Sequence, residues 1–363
     1  MTNTGRKKLS YLLSMILYMT IYGLSAILLS IEQKRNNKLI YFIAILIPAV
    51  FAALRYQVGT DYMNYVYMYR DSVQSSLGQF ISSNKFGNEI GIYVVSNIAK
   101  YFGGIKIYFG LMAFLSAYFF TSGLKRCNKT VLVGIATFLF LATSYTTGFN
   151  TIRNVLAATI VFWGFHFIFE NSFWKYVVTI VLAMLFHTTA IIALPLFFLW
   201  NPASKSIKMS WKTLLIIVAV IITCANFPGI LSRVPIFNRF ITYLNPNIDT
   251  ANRNFLLLLI IYTAILLLRK WLVKKDEKND YYILLVGIGV LMGLTGFFSP
   301  YIKRLALYCT ICQPLLLAQI PTVFKEKDQR IVKVALILYT VFMFWLSYWY
   351  LGQAKILPYQ LWP

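Results

Sequence analysis

The charged residues that could do chemistry form an arginine-rich set, which stands apart from the lysine-rich loops of this chain. Its members border apolar runs or lie in the two longest polar stretches: Arg55, Asp61, Glu89, Arg153, Arg239, Arg253 and Arg304. A guanidinium is planar, binds two phosphate oxygens at once and keeps its charge in a partly dry cleft. The set therefore predicts a phosphate or pyrophosphate ligand, with contacts to lipid headgroups or pairing with Asp61 and Glu89 as the alternative.

Three side chains could move a proton: Asp61, Glu89 and His187. An imidazole accepts and releases protons near neutral pH, so His187 suits general acid–base catalysis. A single histidine in an apolar run is also typical of a packed core residue, which Thr188 and Thr189 could satisfy. Asp61 and Glu89 could instead orient arginines, so three candidates for the base stay open.

Tyrosines crowd the stretch that begins at Arg55, which predicts a turn followed by an interfacial helix. Tyr56, Tyr62 and Tyr65 are the candidates for stacking against a sugar ring, because each offers an apolar face and a polar hydroxyl. An aromatic belt at the membrane interface explains the same pattern. Both interpretations place this stretch at the edge of the bilayer.

The elements that position these residues must be membrane helices. Of 363 residues, 59% are hydrophobic and only 12% are charged, against about 25% charged in a soluble chain. This composition excludes a disulfide-stapled secreted domain, a disordered regulator and a cytosolic enzyme. The net charge of +23 comes mostly from short loops between apolar runs, so it indicates topology rather than nucleic-acid binding. Four cysteines and two histidines lack metal-like spacing, so we expect no metal and no cofactor.

About 20 apolar residues are needed to cross the hydrocarbon core of a bilayer. Cutting the chain at charges and polar clusters predicts an all-α polytopic protein with about 12 transmembrane helices, within a range of 11 to 13. The candidate spans are 11–31, 39–54, 105–123, 130–148, 155–169, 174–186, 188–200, 212–226, 254–271, 281–298, 304–323 and 331–351. The weakest division lies at His187, and Pro195 could kink or break this region instead.

Lysine and arginine set the expected orientation, because they concentrate in cytoplasmic loops. All five basic loops fall on one side if 88–104 does not cross the membrane and the region around His187 turns back: 34–38, 125–129, 205–212, 269–278 and 325–333. We then expect one integral membrane domain, 1–363, with interfacial or re-entrant helices in an outer segment, 55–104, and a loop, 227–253, that could form a lid. In the alternative topology 90–101 crosses, which moves both the N-terminus and Asp61 to the inside.

Five short motifs occur in order along most of the chain. They are Arg55-Tyr-Gln-Val-Gly-Thr-Asp61-Tyr; Asn88-Glu89-Ile90-Gly91-Ile92-Tyr93 with Lys100-Tyr-Phe-Gly103; Thr151-Ile152-Arg153-Asn154-Val155-Leu156-Ala157; Phe186-His187-Thr188-Thr189-Ala190-Ile191-Ile192-Ala193-Leu194-Pro195; and Arg304-Leu-Ala-Leu-Tyr308. This series resembles the signatures R-Y-x-x-G-x-D-Y, E-x-G-aromatic, R-Q-x-L-A, F-H-x-S-A-L-I-x-L-P and R-x-x-x-Y of the EpsG family of exopolysaccharide biosynthesis proteins. That family belongs with the Wzy-type O-antigen and capsule polymerases. The chain departs from the pattern at Asn154, where the family often has Gln, and at Thr188-Thr189.

The resemblance implies a GT-C-like bundle in a bacterial cytoplasmic (inner) membrane, with its active site facing the periplasm or exterior. It implies metal-independent glycosyl transfer from an undecaprenyl-pyrophosphate-linked donor to the terminal sugar of a lipid-linked acceptor. Arg55, Arg153 and Arg304 would bind pyrophosphate, with Arg239 and Arg253 as weaker candidates. The expected partners are these lipid-linked oligosaccharides, membrane lipids, a flippase and a chain-length regulator.

Other classes of membrane protein also fit part of the pattern. A flippase or transporter of lipid-linked oligosaccharide would need cations for pyrophosphate, but it should place charges within its spans and often shows repeated halves. A membrane acyltransferase that modifies polysaccharide would use His187 as its base. An O-antigen ligase is close in class, but the Gly-Thr-Asp-Tyr sequence points away from it.

Overall fold

The computed structural model describes residues 3–83, 89–127, 131–207, 253–295 and 300–362. The predicted span 212–226 and most of the predicted lid, 227–253, lie outside these residues. Within them the chain is almost entirely helical, with one short two-stranded ribbon. The prediction of an all-α membrane protein is therefore confirmed in its coarse form.

Two series of helices can be followed along the described chain. The first series is α1 (Asn3–Arg35), α2 (Lys38–Ala53), α3 (Tyr62–Gln74), α4 (Leu77–Ser83), α5 (Ile90–Phe102), α6 (Ile105–Cys127), α7 (Val133–Phe140), α8 (Ile152–Phe169) and α9 (Phe173–Met184). The second series is α10 (Arg253–Leu267), α11 (Arg269–Lys275), α12 (Lys278–Thr295), α13 (Pro300–Thr310), α14 (Gln313–Gln319) and α15 (Glu326–Phe344).

Shorter elements join or extend these helices. Residues Leu141–Tyr145 continue α7 as a π-helical turn, and Thr188–Leu199 form a 3₁₀ helix after α9. The ribbon pairs β1 (Trp200–Asn201) with β2 (Ser206–Ile207). After α15 the chain passes through a π-helical turn, Trp345–Tyr350, and a 3₁₀ turn, Gln353–Lys355.

Five of the described helical stretches are long and apolar enough to cross a membrane. They are Ser10–Arg35, Ile105–Cys127, Ile152–Phe169, Arg304–Val323 and Glu326–Tyr350. Four shorter apolar stretches accompany them: Lys38–Ala53, Val133–Tyr145, Phe173–Met184 and Thr188–Leu199. These helices establish a multi-pass membrane protein, while the count of about 12 spans, the GT-C-like bundle and the orientation stay predictions.

The surface of the bundle matches a bilayer as solvent. In α1, Leu13 and Ile27 are exposed, and in α15 Ile331 and Leu338 are exposed. Large apolar side chains in such numbers on a soluble surface would cause aggregation, whereas lipid tails cover them without cost. The two helices therefore form part of the lipid-facing surface.

Helix α8 forms the centre of the bundle. Its side chains are buried on nearly all sides, and it packs against α6 and α9. Gly164 allows the closest of these approaches, because a Cβ there would lie only 2.5 Å from Cγ2 of Thr179 in α9. A central helix held this tightly fixes the position of the residues in its first turn, which include Arg153.

The chain breaks between α9 and the 3₁₀ helix, at Leu185 to His187, and not at Pro195, which lies inside the 3₁₀ helix. The two segments pack against each other as a hairpin, and the hydroxyl of Tyr176 donates a hydrogen bond to the carbonyl of Ala193 at 2.8 Å. His187 therefore lies at the turn of this hairpin. This is the division at His187 that the sequence predicts.

Residues 351–362 follow the π-helical turn after α15 and run back to the end of α2. We call them the return segment. Its backbone meets the chain just after α2, where the amide of Tyr56 donates to the carbonyl of Gln360 at 2.8 Å. Ile356 and Leu357 are buried, and the ring of Tyr359 stacks on Phe51 at 4.3 Å. The return segment is thus packed into the bundle.

Candidate functional site

Three elements bring the candidate catalytic residues together. Glu89 directly precedes α5, Arg153 lies in the first turn of α8, and His187 lies at the turn of the α9 hairpin. Within the described residues, this is where the predicted carboxylate, guanidinium and imidazole meet. We call Glu89, Arg153 and His187 the acid–base cluster.

Glu89 is the centre of the acid–base cluster. Its side chain is 2% exposed, and its Oε2 accepts a hydrogen bond from Nη1 of Arg153 at 2.5 Å. Its Oε1 lies 2.8 Å from Nδ1 of His187 and accepts a second, longer bond from the backbone amide of Thr188 at 3.3 Å. A buried carboxylate is costly unless a cation and hydrogen-bond donors surround it. Here both oxygens are engaged, so the side chain of Glu89 is held in one orientation.

The contact with Glu89 determines which nitrogen of His187 carries the hydrogen in the neutral ring. A carboxylate only accepts hydrogen bonds, so Nδ1 is the donor and Nε2 is left with a lone pair. The side chain of His187 is 20% exposed, and no group in the described part of the chain hydrogen-bonds to Nε2. An imidazole oriented in this way can accept a proton from a bound hydroxyl group.

Gly91 makes this arrangement possible. Its amide donates to the carbonyl of Leu185 at 2.8 Å, which ties the start of α5 to the end of α9. A Cβ at Gly91 would lie 2.9 Å from that carbonyl oxygen and equally close to the ring of Phe186. Only glycine permits this approach, and the approach sets Glu89 beside His187.

We expect Gly91→Ala to lower the melting temperature of the purified protein in detergent, with a loss of about 1–3 kcal/mol from overpacking. The matched control is Gly23→Ala in α1, where a Cβ meets nothing within 4 Å. That change should leave the melting temperature the same or raise it, because alanine favours a helix by about 1 kcal/mol. Equal behaviour of the two variants would contradict the close contact between α5 and α9.

Arg153 connects the acid–base cluster to α13. The side chain of Arg153 keeps a 26% exposed surface besides its pair with Glu89. The next residue, Asn154, donates from Nδ2 to the backbone carbonyl of Arg304 at 3.0 Å, and the side chain of Arg304 is exposed. One turn later in α13, the hydroxyl of Tyr308 lies 3.0 Å from that of Thr189. Arg304 is thereby held close to the cluster.

Asp61 is related to the same region through Tyr65. Burial raises the pKa of Tyr65, and the charges of Arg153, Asp61 and Arg304 also act on its hydroxyl. Asp61 is half-buried, and its Oδ1 accepts a hydrogen bond from Nδ2 of Asn64 at 3.3 Å.

Asn150 is a residue that the sequence analysis missed. Its Oδ1 accepts a long bond from the amide of Asp61 at 3.4 Å, and its carbonyl accepts from the hydroxyl of Tyr65 at 2.9 Å. Its Nδ2 donates to the carbonyl of Ala354 at 3.1 Å. Asn150 thus connects the turn before α3, the return segment and the start of α8. Its position three residues before Arg153 was the only signal in the sequence.

Gly59 lies so close to Asn150 that a side chain would clash there, as it would at Gly91 against Leu185. Its φ is +107°, a value that L side chains rarely adopt, and a Cβ would lie 2.7 Å from Oδ1 of Asn150. The glycine of the Gly-Thr-Asp sequence is therefore required by the turn itself. This turn, 58–61, carries Asp61 into the site.

Arg55 does not lie with the acid–base cluster. Its residue is 1% exposed, and the guanidinium carbon lies 4.5 Å from the ring centre of Phe109 and 4.1 Å from that of Phe149. Burial lowers the pKa of Arg55, yet a guanidinium titrates above about pH 12 and stays charged. A cation enclosed by two aromatic rings does not fit the predicted pyrophosphate ligand at an open mouth. The contacts instead fit a cation–π clamp between α6 and the turn before α8.

The tyrosines chosen for sugar stacking are mostly inaccessible. Tyr62 is 2% exposed and Tyr65 is 5% exposed, so neither ring offers a free face. Burial raises the pKa of Tyr62 to about 12, which keeps its phenol protonated. Tyr56 is half-buried, and its ring lies 4.9 Å from that of Trp362. The predicted stacking platform therefore does not fit Tyr62 or Tyr65, whose rings pack inside the bundle.

The remaining predicted ligands cannot be placed. Arg239 lies outside the described residues. Arg253 begins α10, but its side chain is outside the described part of the structure. Among the described residues, His, Cys, Asp and Glu side chains form no group of three that could hold a metal ion.

The arrangement combines two chemical capacities. A histidine whose Nδ1 is fixed by a buried carboxylate can take a proton, and a guanidinium group with exposed surface, such as that of Arg153, can bind an anion.

The comparisons with known proteins agree with the motif pattern. A family model described as the EpsG family matches residues 38–361, which is nearly the whole chain. No curated protein and no solved structure matches the chain. The matched range includes all three members of the acid–base cluster and most of the return segment.

Proposed function

Because the chain belongs to the EpsG family of Wzy-type polysaccharide polymerases, we propose that it extends a glycan held on undecaprenyl pyrophosphate. The growing glycan is transferred from that carrier to the terminal sugar of an incoming lipid-linked repeat unit. The observation that carries this proposal is the position of Glu89 between His187 and Arg153. It joins a proton acceptor to a phosphate-binding group in one unit.

The reaction forms one bond and breaks another. The acceptor hydroxyl oxygen bonds to the anomeric carbon of the donor sugar, while the bond from that carbon to the pyrophosphate oxygen breaks. The hydroxyl proton goes to Nε2 of His187, and the imidazolium that forms is stabilised by the carboxylate of Glu89. The electron pair of the broken bond leaves with undecaprenyl pyrophosphate.

Arg153 and Arg304 are the proposed ligands of the leaving group. Positive charge placed where negative charge develops lowers the barrier of such a transfer. Arg153 is already oriented by its pair with Glu89, and Arg304 is exposed close to it. In this proposal the two arginines supply the charge that a metal ion supplies in other transferases, so the transfer is metal-independent.

Asp61 is proposed to hold the acceptor sugar. It is half-buried at the start of α3, and its own hydrogen bond with Asn64 is long, at 3.3 Å. A carboxylate in this position can accept hydrogen bonds from sugar hydroxyls. It is also the alternative base if His187 only binds the hydroxyl.

The proposal places the protein in the bacterial cytoplasmic (inner) membrane, with the site facing the periplasm or exterior. Lipid-linked repeat units would reach it from a flippase, and a chain-length regulator would act on the same polymer. Both substrates carry pyrophosphate on a lipid, so both present it at the membrane interface, where interfacial arginines can bind it.

The test is gel analysis of lipid-linked glycans from cells that lack the protein and from cells complemented with the intact chain. We expect deletion to remove polymer and leave single repeat units displayed on the outer face of the membrane. The intact chain should restore polymer, and Asp61→Asn should restore much less. Accumulation of repeat units on the cytoplasmic face would instead support a transporter of lipid-linked oligosaccharide.

A further inference from the structure

The backbone of the return segment is hydrogen-bonded to the turn that carries Asp61. The amide of Gly59 donates to the carbonyl of Lys355 at 3.2 Å, and the amide of Thr60 donates to the carbonyl of Ala354 at 3.1 Å. The same carbonyl of Ala354 accepts from Nδ2 of Asn150. Two consecutive carbonyls of the return segment therefore hold two consecutive amides of the turn.

The backbone is strained where these carbonyls point inward. Ala354 has a φ of +64° and Lys355 a φ of +47°, although neither is glycine. Non-glycine residues in this left-handed region are uncommon and persist where the surrounding structure fixes them. Here the strain aims both carbonyls at the turn, and Gln57, which directly precedes the turn, also has a positive φ, of +52°.

The return segment is also held on both sides of this contact. After it, the hydroxyl of Tyr359 donates to the carbonyl of Phe51 at 2.6 Å, and the amide of Trp362 donates to the carbonyl of Leu54 at 3.3 Å. On the other side, the chain comes directly from the π-helical end of α15. The segment is thus fixed at both ends and strained in between.

We infer that the return segment is a positioning element of the site, in which Ala354 and Lys355 hold the turn 58–61 and thereby set the place of Asp61. Besides these two carbonyls, the turn is held by Oδ1 of Asn150 at the amide of Asp61 and by the buried side chain of Val58, whereas Asp61 makes no side-chain cap on α3. The carbonyls at 354 and 355 act on the reaction only through this turn. The inference rests on the proposed polymerase function for its activity readout, but not for its geometry.

The first experiment compares two substitutions at one position. Ala354→Val places a β-branched residue at a φ that it strongly disfavours, whereas Ala354→Gly removes the strain and keeps the carbonyl. In purified protein supplied with saturating lipid-linked repeat units, we expect Ala354→Val to lose about 100-fold in turnover per folded molecule, as expected for a misplacement of about 1 Å. Ala354→Gly should keep wild-type turnover. Wild-type turnover in Ala354→Val would overturn the inference.

The second experiment separates positioning from stability and applies even if Ala354→Val fails to fold. A triple variant carries Thr60→Cys and Ala354→Cys, which can form a disulfide between the turn and the return segment. Its third change, Tyr359→Ala, removes the ring that stacks on Phe51. We expect the reduced protein to turn over slowly and its oxidised form to recover at least ten-fold, because the disulfide replaces the lost anchor. The two single-cysteine versions should not respond to oxidation.

Three results would decide the matter. Failure of the disulfide to form would show that the return segment does not lie on the turn. A disulfide that forms without changing turnover would show that its position does not matter for the reaction. Absence of polymer from the wild-type protein as well would count against the proposed function, and the cross-link would still test the placement of the segment.

Discussion

Replacing His187 with alanine is expected to lower polymer formation per folded molecule by about 10²- to 10⁴-fold, which is the usual contribution of a positioned general base. Its Nδ1 is engaged by Glu89 at 2.8 Å, so in the proposed reaction Nε2 is the atom that would receive the hydroxyl proton. The side chain is only 20% exposed, and its removal takes a hydrogen-bond donor from the buried Glu89, so we expect a loss of stability besides the loss of turnover. Turnover is measured on purified protein with lipid-linked repeat units, and folded protein is measured by its melting temperature.

The chain offers a matched control for this change in its other histidine. His166 lies within α8, is 5% exposed and contacts the carbonyl of Trp163 in its own helix. We expect His166→Ala to change stability but to keep turnover per folded molecule within about two-fold. If His187→Ala retains more than a tenth of wild-type turnover while Asp61→Asn retains none, the base is Asp61 and His187 only binds the acceptor.

The members of the acid–base cluster could be selected from the sequence by their chemistry, but their grouping could not. Glu89 is 64 residues from Arg153 and 98 residues from His187. Without a structure, the carboxylate and the imidazole look like competing bases. The contact at Gly91 shows that they form one unit, because it joins the start of α5 to the hairpin turn at His187.

The environment of Arg55 could not be predicted from its position in the sequence. An arginine directly after an apolar run is ordinarily expected at the membrane surface, where its charge is hydrated. Here Phe109 and Phe149 enclose it, and both come from other parts of the chain. The periodicity of a single segment contains no information about such partners. The same limit applies to Tyr62, whose ring is covered by Phe109 at 5.0 Å.

The fold was predictable at the level of composition and hydropathy, because the bilayer constrains every spanning segment in the same way. The division at His187 was also predictable, since a polar residue interrupts a run too long for one ordinary crossing. The contacts of the return segment could not be predicted from the sequence. Its contacts with the turn are between backbone groups, and backbone pairing leaves no residue signature in a segment without strand periodicity.

Arg153 is expected to tolerate lysine poorly, although the charge is retained. A guanidinium can bind the Oε2 of Glu89 and a phosphate oxygen at the same time with separate N–H groups, whereas an ammonium acts as a single point charge. We therefore expect Arg153→Lys to lose more turnover than Arg304→Lys, because the Arg153 guanidinium is paired with the cluster carboxylate. Wild-type turnover in both variants would remove the arginine clamp from the mechanism.

The pair of Glu89 and Arg153 gives the largest expected effect on stability and separates stability from chemistry. Glu89→Gln leaves Arg153 without its counter-charge. This should cost about 3 kcal/mol, near the low end of the range for buried pairs, because the Arg153 side chain remains 26% exposed. The double variant Glu89→Gln with Arg153→Gln has no unpaired charge, so it should regain much of the lost melting temperature. Turnover should remain low in the double variant, since it lacks both Glu89, the partner of His187, and Arg153, the arginine proposed to bind pyrophosphate. Recovery of stability and turnover together would show that the pair is structural and that the chemistry lies elsewhere.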